Sequence, residues 1–156
     1  MSRRNISKKN FPTADPVYNS FIVSLLLARI IKKGKKSLAQ KIIKNVFITI
    51  ETKKNLNPIK TFQKALQNVT PIVEVKSCRI GGSTYQVPIE VSGFRGTTLS
   101  LKWILKAAVN RSGKTFVVNL ANEIIDASNS IGGAIRKKEE THKMAEANKA
   151  FAHFRY

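Results

Sequence analysis

The chain has 156 residues, 42% of them apolar, and 28 lysines and arginines against 9 aspartates and glutamates give a formal charge of +19. An apolar share of this size supports a packed core, so the charge belongs to a folded protein with a polyanionic partner and not to a basic tail. One cysteine and two histidines exclude a disulfide framework and a cysteine-rich zinc site, point to a reducing compartment, and give no reason to expect a metal or cofactor.

Residues 1–14 carry Arg3, Arg4, Lys8 and Lys9, no acid and little periodicity, and are expected to form a flexible basic arm. Asp15-Pro16 has the form of a helix start, a capping carboxylate followed by a residue with no N–H to satisfy. The first helix is therefore expected from about Val17 to Lys32. Its apolar run, Phe21 to Ile31, is too short to cross a bilayer and is interrupted by Arg29, so no membrane contact is expected. No small-residue cleavage pattern or transit-like segment precedes it.

Gly34 stops this helix. A second, from about Ser37 to Glu51, repeats Ala39, Ile42, Ile43, Val46, Phe47 and Ile50 at steps of three and four. Asn57-Pro58 opens a third, with Ile59, Phe62, Ala65, Leu66 and Val69 as its stripe and Pro71 as its end.

Between Ile72 and Val91 the character changes to β-formers on either side of Gly81-Gly82-Ser83, which predicts a hairpin. Two strands cannot bury a face alone, so the hairpin should project from the helices or lie against a partner. A fourth helix follows from about Thr97, or a few residues earlier, to Val109. The fifth runs from about Thr115 to Ser128. After Gly132-Gly133 a charged sixth runs from about Ala134 to Asn148, and an aromatic tail from Phe151 to Tyr156 closes the chain. The expected fold is mainly α: one domain over 15–156, a bundle of about six helices with a two-stranded β-hairpin between the third and fourth.

The charge is uneven. Residues 1–64 hold 15 basic and 2 acidic groups, residues 65–156 hold 13 and 7. The densest knot is Lys32, Lys33, Lys35 and Lys36 around Gly34, where like charges repel unless solvated or paired with phosphate. Further cations are Lys76 and Arg79 on the hairpin, Arg95 after it, and Lys102 and Lys106 on one face of the fourth helix. Arg111 and Lys114 mark the next turn. Arg136, Lys137 and Lys138 open the last helix, against its dipole, a placement that a nearby anion would relieve. Tyr85 and the tail aromatics Phe151 and Phe154 either stack on unpaired bases or tie the tail to the body.

Enzyme signatures fail. Gly113-Lys114-Thr115 suggests a P-loop, but the required earlier glycine is Ala108, inside a helix, with no strand before it. Glu139-x-x-His142 has di-iron spacing, but a second pair and further carboxylates are lacking. Cys78 lies between Lys76 and Arg79, which a strand on a basic hairpin explains. No catalytic residues are expected.

Several stretches carry a family resemblance: Ala14-Asp15-Pro16-Val17-Tyr18-Asn19-Ser20, then Gly34-Lys35-Lys36, then Glu74-Val75-Lys76-Ser77. Gly81-Gly82-Ser83-Thr84-Tyr85-Gln86-Val87-Pro88 and the run from Lys138 to His153 complete them. In order and spacing they resemble small-subunit ribosomal protein seven of bacteria and organelles, over nearly the whole chain. The resemblance implies a helical bundle with a β-hairpin arm that binds small-subunit rRNA, nucleates assembly of the head domain and lies near the mRNA and exit-site tRNA. Ribosomal protein eleven is the implied neighbour. By matching position, the arm, Lys35, Lys36, Lys76, Arg79, Lys114, Lys137 and Lys138 become rRNA contacts, and the tip Gly82, Ser83, Thr84 and Tyr85 a tRNA- and mRNA-side element. Cys78, Asn110 and Asn119 stand where the family usually has basic residues.

The Lys, Asn and Ile bias and the C-terminal run are most similar to plastid members, implying a plastid-encoded chain in the stroma, with a bacterial cytoplasm as the alternative. The rival functions are a non-ribosomal basic nucleic-acid-binding protein, such as a DNA-packaging protein, and an RNA-processing or nucleotide-using enzyme built on a basic helical domain.

Overall fold

The computed structural model describes residues 12–55, 57–113 and 115–154. Among them it contains α1 (Phe21–Ile30), α2 (Lys36–Lys54), α3 (Pro58–Val69), β1 (Val73–Ile80), β2 (Ser83–Glu90), α4 (Gly93–Asn110), α5 (Phe116–Ser128), α6 (Gly133–Ala147) and a closing 3-10 turn, Lys149–Phe154. This is the expected mainly helical order, with the hairpin between the third and fourth helices. The chain divides into two compact units, Met1–Gln40 and Lys41–Tyr156, with the division inside α2.

In the first unit Asp15-Pro16 does open a helical turn, but not the first helix. Asp15 Oδ2 accepts the N–H groups of Val17 and Tyr18, both at 3.2 Å, and Asn19 N–H returns to the Asp15 carbonyl at 2.7 Å. Asn19 then adopts φ 45°, a left-handed conformation that asparagine tolerates and that closes the turn. After the extended Ser20, α1 begins at Phe21 and not at Val17. It ends at Ile30, short of the expected Lys32, ahead of the left-handed Lys33 (φ 51°) and Gly34 (φ 73°). The carbonyl of Thr13 accepts the Ser24 hydroxyl at 2.7 Å, so the described end of the expected arm is held by α1. Residues 1–11, with Arg3, Arg4, Lys8 and Lys9, lie outside the described residues.

The second unit is built on apolar stripes at helical spacing. Phe62, Ala65, Leu66 and Val69 of α3, Leu101, Ile104 and Ala108 of α4, and Leu120, Ala121 and Ile124 of α5 are all buried. Both α3 and α4 pack on α5, and α4 also packs on α6. Phe47 of α2 meets Phe62 with ring centroids 6.2 Å apart. Asn57 caps α3 as expected, its side chain accepting the N–H groups of Ile59 and Lys60 with Pro58 in the first turn. Asn68 Nδ2 donates to the carbonyls of Ala127 and Ser128, each at 3.0 Å. Both carbonyls lie in the last turn of α5, and that of Ala127 also accepts the Ser130 N–H at 3.1 Å.

The strands pair antiparallel from Val73 opposite Glu90 to Ile80 opposite Ser83. Gly81 (φ 56°) and Gly82 (φ 89°) form the connection; positive φ at both central residues matches the twist of a tight hairpin. The hairpin solves its burial problem within the chain. Here β1 packs on α6 and β2 on the closing turn, Val87 is fully buried, and residues 81–84 at the tip are exposed.

Candidate nucleic-acid interface

Lys102 and Lys106 sit on the exposed side of α4, because Leu101, Ile104 and Ala108 take the buried side. Across from them, Arg136 and Lys137 leave the first turns of α6 into solvent. The four cations line one open cleft of about 840 Å³, with Trp103, Arg111 and Gly132-Gly133 in its wall. Among the described residues, Lys102, Lys106 and Arg136 have no carboxylate in ion-pair reach, while Lys137 meets Glu140 at 2.7 Å. That pair is exposed and i,i+3, worth little and easily exchanged. Its hydrogen bond and charge hold the Glu140 carboxyl below the usual glutamate range.

What fixes the cleft is an acid. Glu123 lies in the apolar stripe of α5, only 1% exposed. Its Oε1 accepts the N–H of Ala134 at 3.0 Å, and its Oε2 accepts Arg111 Nε at 2.6 Å. Asp126 takes a second nitrogen of the same guanidinium. Burial works against the Arg111 charge, but the hydrogen bonds it donates to Asp126 and Glu123 and the charges of those carboxylates outweigh it and hold the guanidinium above its ordinary value. The buried carboxylate is thus paired and hydrogen-bonded, as a buried charge must be.

Glu123 is also the anion that the cationic start of α6 calls for, supplied from within the chain. The backbone is shaped around it. Gly132 has φ 114°, and a Cβ there would sit 2.9 Å from Glu123 Oε1; one on Gly133 would sit 3.1 Å from the Ala107 methyl.

The other sequence-derived cations divide into three groups. Lys32, Lys33 and Lys35 are exposed in the turn between α1 and α2, and Lys36 is exposed at the first position of α2. Lys76 and Arg79 are exposed on β1, and at three residues' separation they point to opposite faces of the ribbon. A third group has partners within the chain. Arg95 Nε meets Glu74 at 2.5 Å, Arg111 is held as above, and Lys138 Nζ donates to the Asn68 carbonyl at 2.6 Å. Lys114 lies outside the described residues.

At the tip Gly82, Ser83 and Thr84 are exposed, whereas Tyr85 is half-buried, its ring 5.4 Å from that of Phe151. Of the two readings for these aromatics, the ring contact is the tie between tail and hairpin; the Phe154 side chain and residues 155–156 are outside the described parts. His142 Nε2 accepts the N–H of Ile72 at 3.2 Å, so the imidazole is neutral there. Burial first, then the charge of Lys138, lowers its pKa below 6.5. Asn119 Nδ2 donates to the Arg111 carbonyl at 3.1 Å, Asn110 lines the cleft, and Cys78 is half-buried opposite Tyr85.

An open cleft lined by cations has the character of a surface that suits a polyanion. The sequence matches the family described as ribosomal protein S7p/S5e over residues 2–149. This chain belongs to the ribosomal protein S7p/S5e family. It is 60% identical over 144 residues to small ribosomal subunit protein uS7c of Trieres chinensis, covering 92% of this chain and 91% of that one. It is 54% identical over 157 residues to small ribosomal subunit protein uS7 of Gloeothece citriformis (strain PCC 7424), and equally to that of Microcystis aeruginosa (strain NIES-843 / IAM M-2473), over the full length of each. As a member of the S7p/S5e family it is a structural ribosomal protein and not an enzyme.

Two features escape the sequence reading. Lys41, Lys44, Lys60 and Lys64 are exposed on the outer faces of α2 and α3; their i,i+3 and i,i+4 spacing outside the apolar stripes was the available signal. Glu123 was the other, an acid among Leu120, Ala121 and Ile124, where a surface residue has no place. No helix of the described residues is long and apolar enough to cross a membrane.

Proposed function

We propose that this S7p/S5e member is a structural constituent of the small ribosomal subunit that engages rRNA through the α4–α6 cleft, with the Lys32–Lys36 turn as a separate phosphate contact. The carrying observation is the convergence of Lys102, Lys106, Arg136 and Lys137 on one cleft whose wall is pinned by Glu123. Neutralising phosphates there releases counterions and favours RNA conformations that fit the cleft. By this route the protein nucleates folding of the head domain. The exposed tip Gly82–Thr84 is the element near mRNA and exit-site tRNA, and ribosomal protein eleven is its neighbour. The 60% identity to uS7c and the lysine-, asparagine- and isoleucine-rich composition support residence in plastid ribosomes.

The test is competition binding at near-physiological salt between the head-domain fragment of small-subunit rRNA, an unrelated structured RNA and duplex DNA. Strong preference for the head fragment is expected; equal binding to all three would reduce the chain to a general nucleic-acid coat. For the tip, Ser83→Glu with Thr84→Glu leaves the Tyr85–Phe151 contact in place. It should spare rRNA binding and weaken exit-site tRNA footprints in assembled subunits, and unchanged footprints would remove that role.

A further inference from the structure

Trp103 stands at the junction of two surfaces. On one side it lines the basic cleft beside Lys102 and Lys106. On the other it walls a second groove of about 420 Å³ between the hairpin, α4 and α6, where Val75, Leu99 and Met144 supply further apolar surface and Gln86 and Asn148 the polar rim. Met144 is 49% exposed there, a large apolar side chain with solvent where a partner would sit. The one acid at the groove, Glu74, is neutralised by Arg95.

We propose that this groove receives one unpaired nucleobase of the bound RNA, packed against Trp103, while its flanking phosphates lie on Lys102 and Lys106. The inference rests on the rRNA-binding reading above and deepens it. Charge complementarity selects the occupant. An apolar slot that shares its indole with a cationic cleft fits a ligand with a flat apolar face attached to anions. A groove of this volume falls in the range of about 300–1,000 Å³ that takes a small planar ligand. The rim can read a base edge. Gln86 Oε1 accepts the Ser77 hydroxyl at 3.2 Å, which leaves its NH2 as a donor. Asn148 Nδ2 donates to the Met144 carbonyl at 2.7 Å, which leaves its carbonyl as an acceptor.

Trp103 is the single tryptophan of the chain, so its emission reports the junction of groove and cleft, and the paired-RNA control separates the two. The full chain is titrated with the head-domain rRNA fragment, following binding by anisotropy of labelled RNA and the groove by indole emission and acrylamide quenching. Emission should fall by about half or more at saturation and acrylamide access should drop, whereas a fully paired RNA of equal length should bind without either change. Trp103→Leu should lose about tenfold in affinity with an unchanged salt slope, since no charge is removed, and Trp103→Phe should restore most of it. Binding of the head fragment with Trp103 emission and accessibility unaltered would overturn the groove assignment and leave rRNA binding standing. So would equal quenching by paired RNA, since the indole would then sense phosphate or a change of shape. No binding of the head fragment would overturn both readings.

Discussion

The Lys32–Lys36 turn and the α4–α6 cleft are both basic, yet they are built on opposite logics. In the turn four lysines are neighbours in sequence, all exposed, on a backbone bent by Lys33 and Gly34 at positive φ. In the cleft four cations come from two helices far apart in sequence, and a buried acid holds their frame. The turn is set by local backbone bonds, Lys35 N–H to the Lys32 carbonyl at 3.2 Å and Lys36 N–H to the Gly34 carbonyl at 2.8 Å, with its lysine side chains in solvent. The cleft is set by packing between helices, and a frame ordered in advance loses less freedom when a ligand binds. Charge density in the sequence marks the first kind and is blind to the second.

The strongest way to break the comparison is to remove the acid. Glu123→Leu leaves Arg111 half-buried beside Asp126 alone and strips the first turn of α6 of its acceptor. Breaking a buried pair from one side costs about 3–5 kcal/mol, seen as a large fall in Tm; Glu123→Gln keeps an acceptor for Ala134 and should lose less. A Tm within a degree of the parent protein for Glu123→Leu would mean the cleft has no such keystone. Gly132→Ala attacks the same point from the backbone. Its Cβ meets Glu123 Oε1 at 2.9 Å and its φ is 114°, so about 1–3 kcal/mol of strain is expected in a denaturation midpoint.

Two lysine pairs sharpen the contrast in binding. Lys102→Gln with Lys106→Gln should weaken head-fragment affinity about tenfold and flatten the log–log salt slope by about two. Lys35→Glu with Lys36→Glu should flatten the slope similarly. The two differ in specificity: the cleft pair should also erode the preference for the head fragment over unrelated RNA, while the turn pair lowers both alike. Equal erosion by both would remove the distinction between a shaped and an unshaped contact.

The smallest effect is set by pH. His142 has its folded pKa lowered below 6.5, so its contribution is fully present above that value. It is lost as pH falls through the lower folded value, because the unfolded chain takes up the proton first. Stability should therefore decline on acidification from about pH 6.5, and His142→Gln should remove that component. The turn contains no histidine, so its salt slope should not follow. An identical pH profile in His142→Gln and the parent would show that burial and the Lys138 charge do not lower the imidazole's pKa in the folded chain.

Much of the architecture was written locally. Apolar residues at steps of three and four placed the helices, Asn57-Pro58 placed the start of α3, and Gly81-Gly82 placed the hairpin turn, because each depends on near neighbours. Asp15-Pro16 carried the same local signal and misled about α1. The turn it opens is closed by Asn19, whose left-handed conformation no spacing rule shows. The charge, the absence of a catalytic set and the family resemblance were equally legible, since composition and motif order survive without coordinates.

Tertiary structure alone decided which cations have partners within the chain. Arg95, Arg111 and Lys138 looked like Lys102 and Arg136 in the sequence, but their partners Glu74, Glu123, Asp126 and the Asn68 carbonyl lie 12 to 70 residues away. Tyr85 against Phe151 and Ile72 against His142 are contacts of the same kind. Local spacing determines which backbone a segment adopts, because dihedral preferences and neighbouring side chains act within a few residues. Whether a charge faces solvent or a buried carboxylate depends on packing between segments, and only the folded chain holds that information.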